Sequence, residues 1–135
     1  MTRTSVRLPA KVFVVVGVLM AGATLVYAAN SAREAAVAAR HAVLASKAAN
    51  LKVVHTHLHH VVNCLVGPKG EGFDSGAANP CAALGNGAIP DATDAAMKAT
   101  LMKALETANA GLGSNDLQAA QKDASETAAI LEEVK

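Results

Sequence analysis

The chain has 135 residues, of which 52% are hydrophobic and 2% aromatic, and its 12 Lys and Arg nearly balance 11 Asp and Glu. This balance argues against a nucleic-acid-binding protein, because that binding depends on clustered Lys and Arg that displace counterions. The few aromatic side chains also exclude a stacking platform for bases or sugars.

Residues 1–28 have the order of charge and hydropathy that is typical of a secretory signal peptide. Arg3, Arg7 and Lys11 precede an apolar run from Val12 to Ala28, which ends in Val-Tyr-Ala. An uncleaved membrane anchor is the alternative, because a run of about 17 apolar residues is at the short end of what spans a bilayer. Either arrangement places residue 29 onward outside the cytoplasm. The protein would be periplasmic or secreted if the leader is cleaved, and anchored at the inner membrane if it is not.

Residues 29–135 are predicted to form one domain. Removal of the leader takes three of the 12 basic residues and leaves nine against 11 acids, a formal charge of −2. A chain of this length supports one modest core. Because Ala is so frequent, we expect that core to be thin, which favours close helix packing, a bound cofactor or self-association.

Residues 30–66 lack Gly and Pro and are predicted to be helical. Ser31 and Glu34 form a capping-box pattern at the start. Seam positions recur at heptad spacing and are Val37, His41, Leu44, Ala48, Leu51, His55, Leu58, Val62 and Leu65. The unbroken seam favours one helix of about 35 residues, and the alternative is a kink near Asn50 that divides it into two.

Residues 67–92 are rich in Gly and Pro without periodicity, which predicts a loop. A loop of this length in a compact domain is unusual unless it has a function or a covalent restraint. The chain has two cysteines, Cys64 and Cys81. In an oxidising compartment we expect them to form a disulfide that ties the loop to the end of the histidine-bearing helix.

Residues 93–135 show two further helical patterns. The first begins at Asp91 or Thr93, just after Pro90, and ends near the sequence NAGLG at residues 109–113. A short connection between two similar helices predicts an antiparallel hairpin. The predicted fold is therefore all-α: an Ala-rich helical bundle with one long or kinked helix, a disulfide-stapled loop and a C-terminal antiparallel helical hairpin.

Four of the five histidines lie in the sequence HTHLHH, residues 55–60. His55 and His59 are one turn apart and can chelate one ion, whereas His57 and His60 form a second pair on a different flank. Imidazole suits copper, nickel, zinc and iron. Because a zinc site needs three or four protein ligands, the others must come from His60, another helix or a second chain.

Other residues are candidates for an additional ligand or an interface. On one continuous helix, His41 would lie about 21 Å from His55, too far to share an ion. The hairpin offers Met97, Met102, Glu106 and Asp123. Cys64 would be a strong ligand if it were reduced, but we expect it to be in the disulfide.

Several catalytic and cofactor motifs do not occur in the sequence. Cys-x-x-Cys-His, Glu-x-x-His and His-Glu-x-x-His are all missing, which excludes covalent c-type haem, the ferritin-like di-iron pattern and the zincin metalloproteases. No nucleophile elbow or P-loop is present either. We therefore expect a protein that is not an enzyme.

The His55–His60 stretch, together with the Ala-spaced helical hairpin at residues 94–133, resembles the small periplasmic histidine-rich metal-binding proteins of ammonia-oxidising bacteria. That resemblance implies a helical bundle, broad divalent-metal binding and metal buffering. Those proteins spread histidine along every helix, whereas residues 61–135 contain none. The resemblance therefore implies one site rather than many.

Three functions follow as hypotheses. The first is a periplasmic protein that buffers or delivers copper, nickel or zinc through His55 and His59, assisted by His57, His60 or both. The second is a bundle that binds b-type haem, as a homodimer, through histidines on the helix seam. The third is a structural subunit of a membrane complex, with the histidines at an interface to partner helices.

Overall fold

The computed structural model describes residues 21–134, with side chains from Asn30 onward. This part of the chain contains five helices and no β-strand, which confirms the all-α prediction. The helices are α1 (Ala21–Ser46), α2 (Leu51–Val66), α3 (Ala88–Asp91), α4 (Ala95–Gly113) and α5 (Leu117–Glu132).

The four longer helices form a bundle in which each helix contacts two principal neighbours. α1 packs against α2 and α5, and α4 packs against α5 and α2. The short connection at residues 114–116 makes α4 and α5 the predicted antiparallel hairpin. The one-turn helix α3 lies within the predicted loop and contacts α1 and α2.

The prediction of one continuous helix over residues 30–66 is wrong, and the alternative of a break near Asn50 is correct. α1 ends at Ser46 and α2 begins at Leu51. Asn50 has extended backbone angles, and its side-chain oxygen accepts a hydrogen bond from the Val53 N–H, which makes it the N-cap of α2. α1 and α2 therefore fold back on one another as a second antiparallel hairpin.

Within α1 and α2, the predicted heptad seam is buried only from Leu58 onward. Leu58, Val62 and Leu65 are buried as expected, whereas the side chain of Leu44 is 50% exposed. The buried face of α1 consists of small residues instead, and these are Ala35, Ala38, Ala39, Ala42 and Ala45. Small side chains let helices approach closely, and at Gly111 an added Cβ would lie 2.8 Å from Leu58 Cδ1. The predicted Ala-rich core is confirmed.

The predicted disulfide is confirmed and anchors the loop to α2. Cys64 and Cys81 are bonded, with their Cα atoms 5.2 Å apart. The buried Asn63 adds a second anchor, because its amide donates to the carbonyl oxygens of Asp74 and Ala78 and its side-chain oxygen accepts from the Asp74 N–H. A disulfide of this kind indicates an oxidising compartment.

Two glycine backbones cross where the loop meets the end of α2. Gly67 and Gly87 both have positive φ, at 69° and 117°. An added Cβ on Gly87 would lie 2.6 Å from the Gly67 nitrogen. No side chain fits at this crossing, so glycine is required here for space as well as for conformation.

The capping-box prediction for Ser31 and Glu34 is wrong, because α1 runs through both residues. The Ser31 hydroxyl donates to the Ala88 carbonyl at 2.7 Å, and Glu34 Oε1 accepts from the Gly87 N–H at 3.0 Å. Both side chains therefore hold the end of the loop against α1. The predicted start of the next helix at Asp91 or Thr93 is also wrong, because Asp94 is the N-cap of α4 and α3 ends at Asp91.

Glu34 is a buried acid whose ionisation opposes folding. Its side chain is fully buried, and Oε2 has no hydrogen-bond partner. Burial raises its pKa from 4.5 to about 7; the Gly87 N–H acts in the opposite direction, and the charge of Asp91 adds to the rise. The folded state therefore favours the protonated acid, and this stabilisation is lost as pH rises through about 7.

We expect Glu34→Gln to remove this pH dependence. As pH rises from about 4.5 to 8, the free energy of unfolding of the variant should increase relative to that of wild type by about 3 kcal/mol. Urea denaturation of both proteins across this range measures the difference. Other titrating groups contribute equally to the two proteins, so their contributions cancel in this difference. The exposed Glu126→Gln serves as the control and should show no such change. If the difference in unfolding free energy between Glu34→Gln and wild type did not change with pH, the assignment of this pH dependence to Glu34 would be contradicted.

The leader prediction concerns residues 1–28, and most of that segment lies outside the described residues. Within the described part of the chain, no helix is both long enough and apolar enough to cross a membrane.

Candidate metal centre

Three histidines from two helices converge on the outer side of the α1–α2 hairpin. His41 lies on α1, and His57 and His60 lie one turn apart on α2. His41 Nδ1 is 3.2 Å from His57 Nδ1 and 3.3 Å from His60 Nδ1. One ring nitrogen from each histidine lies within 4.8 Å of the other two, so this histidine triad could hold a metal ion.

The two short distances fit tetrahedral coordination. Zn–N bonds of about 2.0–2.1 Å give nitrogen–nitrogen edges of about 3.3–3.4 Å in a regular tetrahedron. His41 Nδ1 lies at similar distances from the other two Nδ1 atoms, 3.2 and 3.3 Å. These two distances are therefore close to those that a tetrahedral ion would require.

The proton arrangement of the triad also favours a cation. A neutral imidazole has one N–H and one lone pair, so a contact between two Nδ1 atoms needs a proton on one and a lone pair on the other. His41 Nδ1 faces two such neighbours at once. A single ion that accepts all three Nδ1 lone pairs satisfies every contact, with each Nε2 carrying its proton.

Burial and mutual repulsion keep members of the triad neutral. Desolvation lowers the pKa of His41 below 6.5, and the charges of His60 and His57 lower it further. The pKa of His60 is also lowered, first by burial and then by His57 and His59. Neutral imidazole is the form that ligates, so these environments reduce competition from protons.

The other predicted histidine ligands lie elsewhere. His55 Nε2 is 3.1 Å from the Ser114 carbonyl oxygen, in the turn between α4 and α5. His59 Nδ1 is 3.2 Å from Asp74 Oδ2, in the loop. The structure therefore brings together His57 and His60, the pair on the second flank, and does not bring His55 and His59 into the triad.

The two candidate methionines occupy different surroundings. The Met97 sulfur lies 3.5 Å from the Ser31 hydroxyl oxygen. Met102 is exposed and lines a groove of about 680 Å³ with Val66, Ile89 and Leu105.

His41 is the triad member that sequence reasoning assigned to a different place. On one continuous helix it would be far from residues 55–60, but the break at residues 47–50 reverses the chain and brings it back. The signal for this reversal is Asn50, a favoured N-cap residue, followed by an apolar and histidine-rich helix.

Comparisons with models of protein families, with curated proteins and with solved structures found no match to this chain. The function therefore has to be inferred from the triad and its surroundings.

Proposed function

We propose that the protein binds one transition-metal ion through His41, His57 and His60 and buffers or delivers that ion in the periplasm. The observation that carries the proposal is the convergence of three Nδ1 atoms from two helices at 3.2 and 3.3 Å. Imidazole-only ligand sets favour Cu(II), Ni(II) or Zn(II) over Mg(II) and Ca(II), which prefer oxygen.

The location of the triad supports exchange of the ion. All three side chains are half-buried, so the ligands are held by packing yet remain in contact with solvent. An ion can therefore enter and leave without unfolding of the bundle, as buffering or delivery requires. The proposed role is binding rather than catalysis, and its support is the absence from the sequence of the catalytic motifs considered above.

A periplasmic location is part of the proposal. Its support is the signal-peptide pattern of residues 1–28 together with the Cys64–Cys81 disulfide, which needs an oxidising compartment. The haem and membrane-subunit hypotheses remain predictions.

Isothermal titration of the untagged protein with Zn(II), Cu(II) and Ni(II) tests the proposal. We expect one ion per chain with Kd of about 1 μM or tighter for at least one metal. A tag must be avoided because added histidines would bind the same ions. If none of the three metals bound at one ion per chain, the proposal would be overturned.

The pH dependence of binding provides a separate prediction. Because the pKa values of His41 and His60 are lowered, protons compete with the metal at these two ligands in more acidic solution than at an ordinary histidine. We expect affinity to change little between about pH 8 and 7 and to fall progressively in more acidic solution. Competition with a chelator of known pH-dependent affinity measures this curve. Loss of most binding already at pH 7 would contradict the assigned ligands.

A further inference from the structure

The triad supplies three donors, which is fewer than a four-coordinate metal requires. Among the described residues, no further His, Cys, Asp or Glu joins the group formed by His41, His57 and His60. His55 and His59 are held by Ser114 and Asp74, and both cysteines are in the disulfide. Three protein ligands with one remaining position is the arrangement of a centre that accepts an exogenous ligand.

The remaining position lies towards solvent, because the inner side of the triad is filled. Ala38, Ala42 and Leu58, on the inner faces of α1 and α2, are completely buried. On the outer side, Leu44 follows His41 by three residues and Val53 precedes His57 by four, and these side chains are 50% and 38% exposed. A ligand can therefore approach from this outer surface.

The exposed Arg and Lys side chains of the α1–α2 hairpin give it a positive charge. Between residues 30 and 66 the basic residues Arg33, Arg40, Lys47 and Lys52 are all exposed, and the single acid, Glu34, is buried. In the loop, Asp74 lies beside α2 and pairs with His59. A divalent ion on three neutral imidazoles adds two uncompensated charges here.

We infer that a metal bound by the triad keeps one coordination position open to solvent and that this position takes an anionic ligand. The inference rests on the proposed metal site and specifies what that site recognises. A negative ligand neutralises part of the metal charge and is attracted by the Arg and Lys side chains of the same hairpin, whereas a neutral ligand gains neither interaction.

Two sources could provide this anionic donor. One is a small anion or free carboxylate from solution. The other is a carboxylate of a second copy, because residues 94–134 carry seven acids against the three lysines Lys98, Lys103 and Lys122. The acids are Asp94, Glu106, Asp116, Asp123, Glu126, Glu132 and Glu133. Both sources present the same chemistry to the metal, and molecular mass distinguishes them.

Azide titration of the Cu(II)-loaded full protein, at ionic strength held constant with sodium perchlorate, tests the inference. We expect a new azide-to-copper charge-transfer band that saturates at one azide per copper. The variant Arg40→Gln/Lys52→Gln should weaken azide binding about two- to threefold at low ionic strength, without loss of copper. The matched control Lys98→Gln/Lys103→Gln, on the other hairpin, should leave azide binding unchanged.

Sedimentation of the copper-loaded protein, with and without azide, identifies the natural donor. If the copper-loaded protein is a monomer and gains the azide band, the natural anionic donor comes from solution. A dimer that azide converts to monomer supports a carboxylate from a second copy. Stoichiometric copper binding with no spectral response to azide overturns the inference and leaves the metal site standing. An absence of binding of Cu(II), Zn(II) and Ni(II) alike overturns the metal site and this inference together.

Discussion

Replacing both His57 and His60 by Ala should lower the affinity for Zn(II) or Cu(II) by at least about 100-fold. The change removes two of the three donors, and loss of even a residue that only supports a ligand commonly costs about 10- to 100-fold in metal affinity. Isothermal titration measures the change. Far-UV circular dichroism should be unaffected, because both side chains are only half-buried.

The matched control is His55→Ala/His59→Ala, which removes the same number of histidines from the same helix. We expect nearly unchanged metal affinity, since these side chains contact Ser114 and Asp74 instead. His41→Ala, on the other helix, should weaken binding as the first variant does. If the control lost binding and the His57/His60 variant retained it, the ligands would be the other pair.

Replacing Cys64 and Cys81 by Ala should lower the free energy of unfolding by about 3 kcal/mol, since the disulfide closes a loop with a sequence separation of 17. Urea denaturation measures the loss, and hydrogen exchange should show faster opening of residues 67–87. The helical signal should persist, because the released loop lies outside the four longer helices of the bundle.

The same double variant should bind metal with an affinity within a few-fold of wild type. All three ligands lie on the α1–α2 hairpin, before Cys64 in the chain. Substitution is preferable to chemical reduction here, because a free Cys64 thiolate would itself compete for the ion. A large loss of metal affinity in the Ala variant would show that the loop helps to hold the triad.

Much of the fold could be predicted from sequence. Hydrophobic periodicity, the Gly/Pro-rich stretch and the two cysteines predicted the helices, the loop and the disulfide. The break between α1 and α2 could not be predicted with certainty, because Ala48 and Leu51 continue the seam and neither Gly nor Pro interrupts it. Tertiary packing decides the matter: two short helices bury their apolar faces on each other, whereas one long helix would need a partner.

The site was predicted less well than the fold, for a related reason. The sequence identified the histidine-rich stretch, but the relation of each side chain to the core depends on how the hairpin sits in the bundle. The seam predicted a buried Leu44, yet alanines form the buried face of α1 and leave Val37, His41 and Leu44 at its edge. This rotation, together with the chain reversal, sets His41 beside His57 and His60.

The three ligands span only residues 41–60, so the centre is closed by a short segment of chain. We expect contacts this local to cost little loop-closure entropy and to form early in folding, before the α4–α5 hairpin docks. An ion present while the chain folds would then meet a folded α1–α2 hairpin before the rest of the bundle has formed. Its binding energy would then act chiefly on the rate of folding and less on the rate of unfolding.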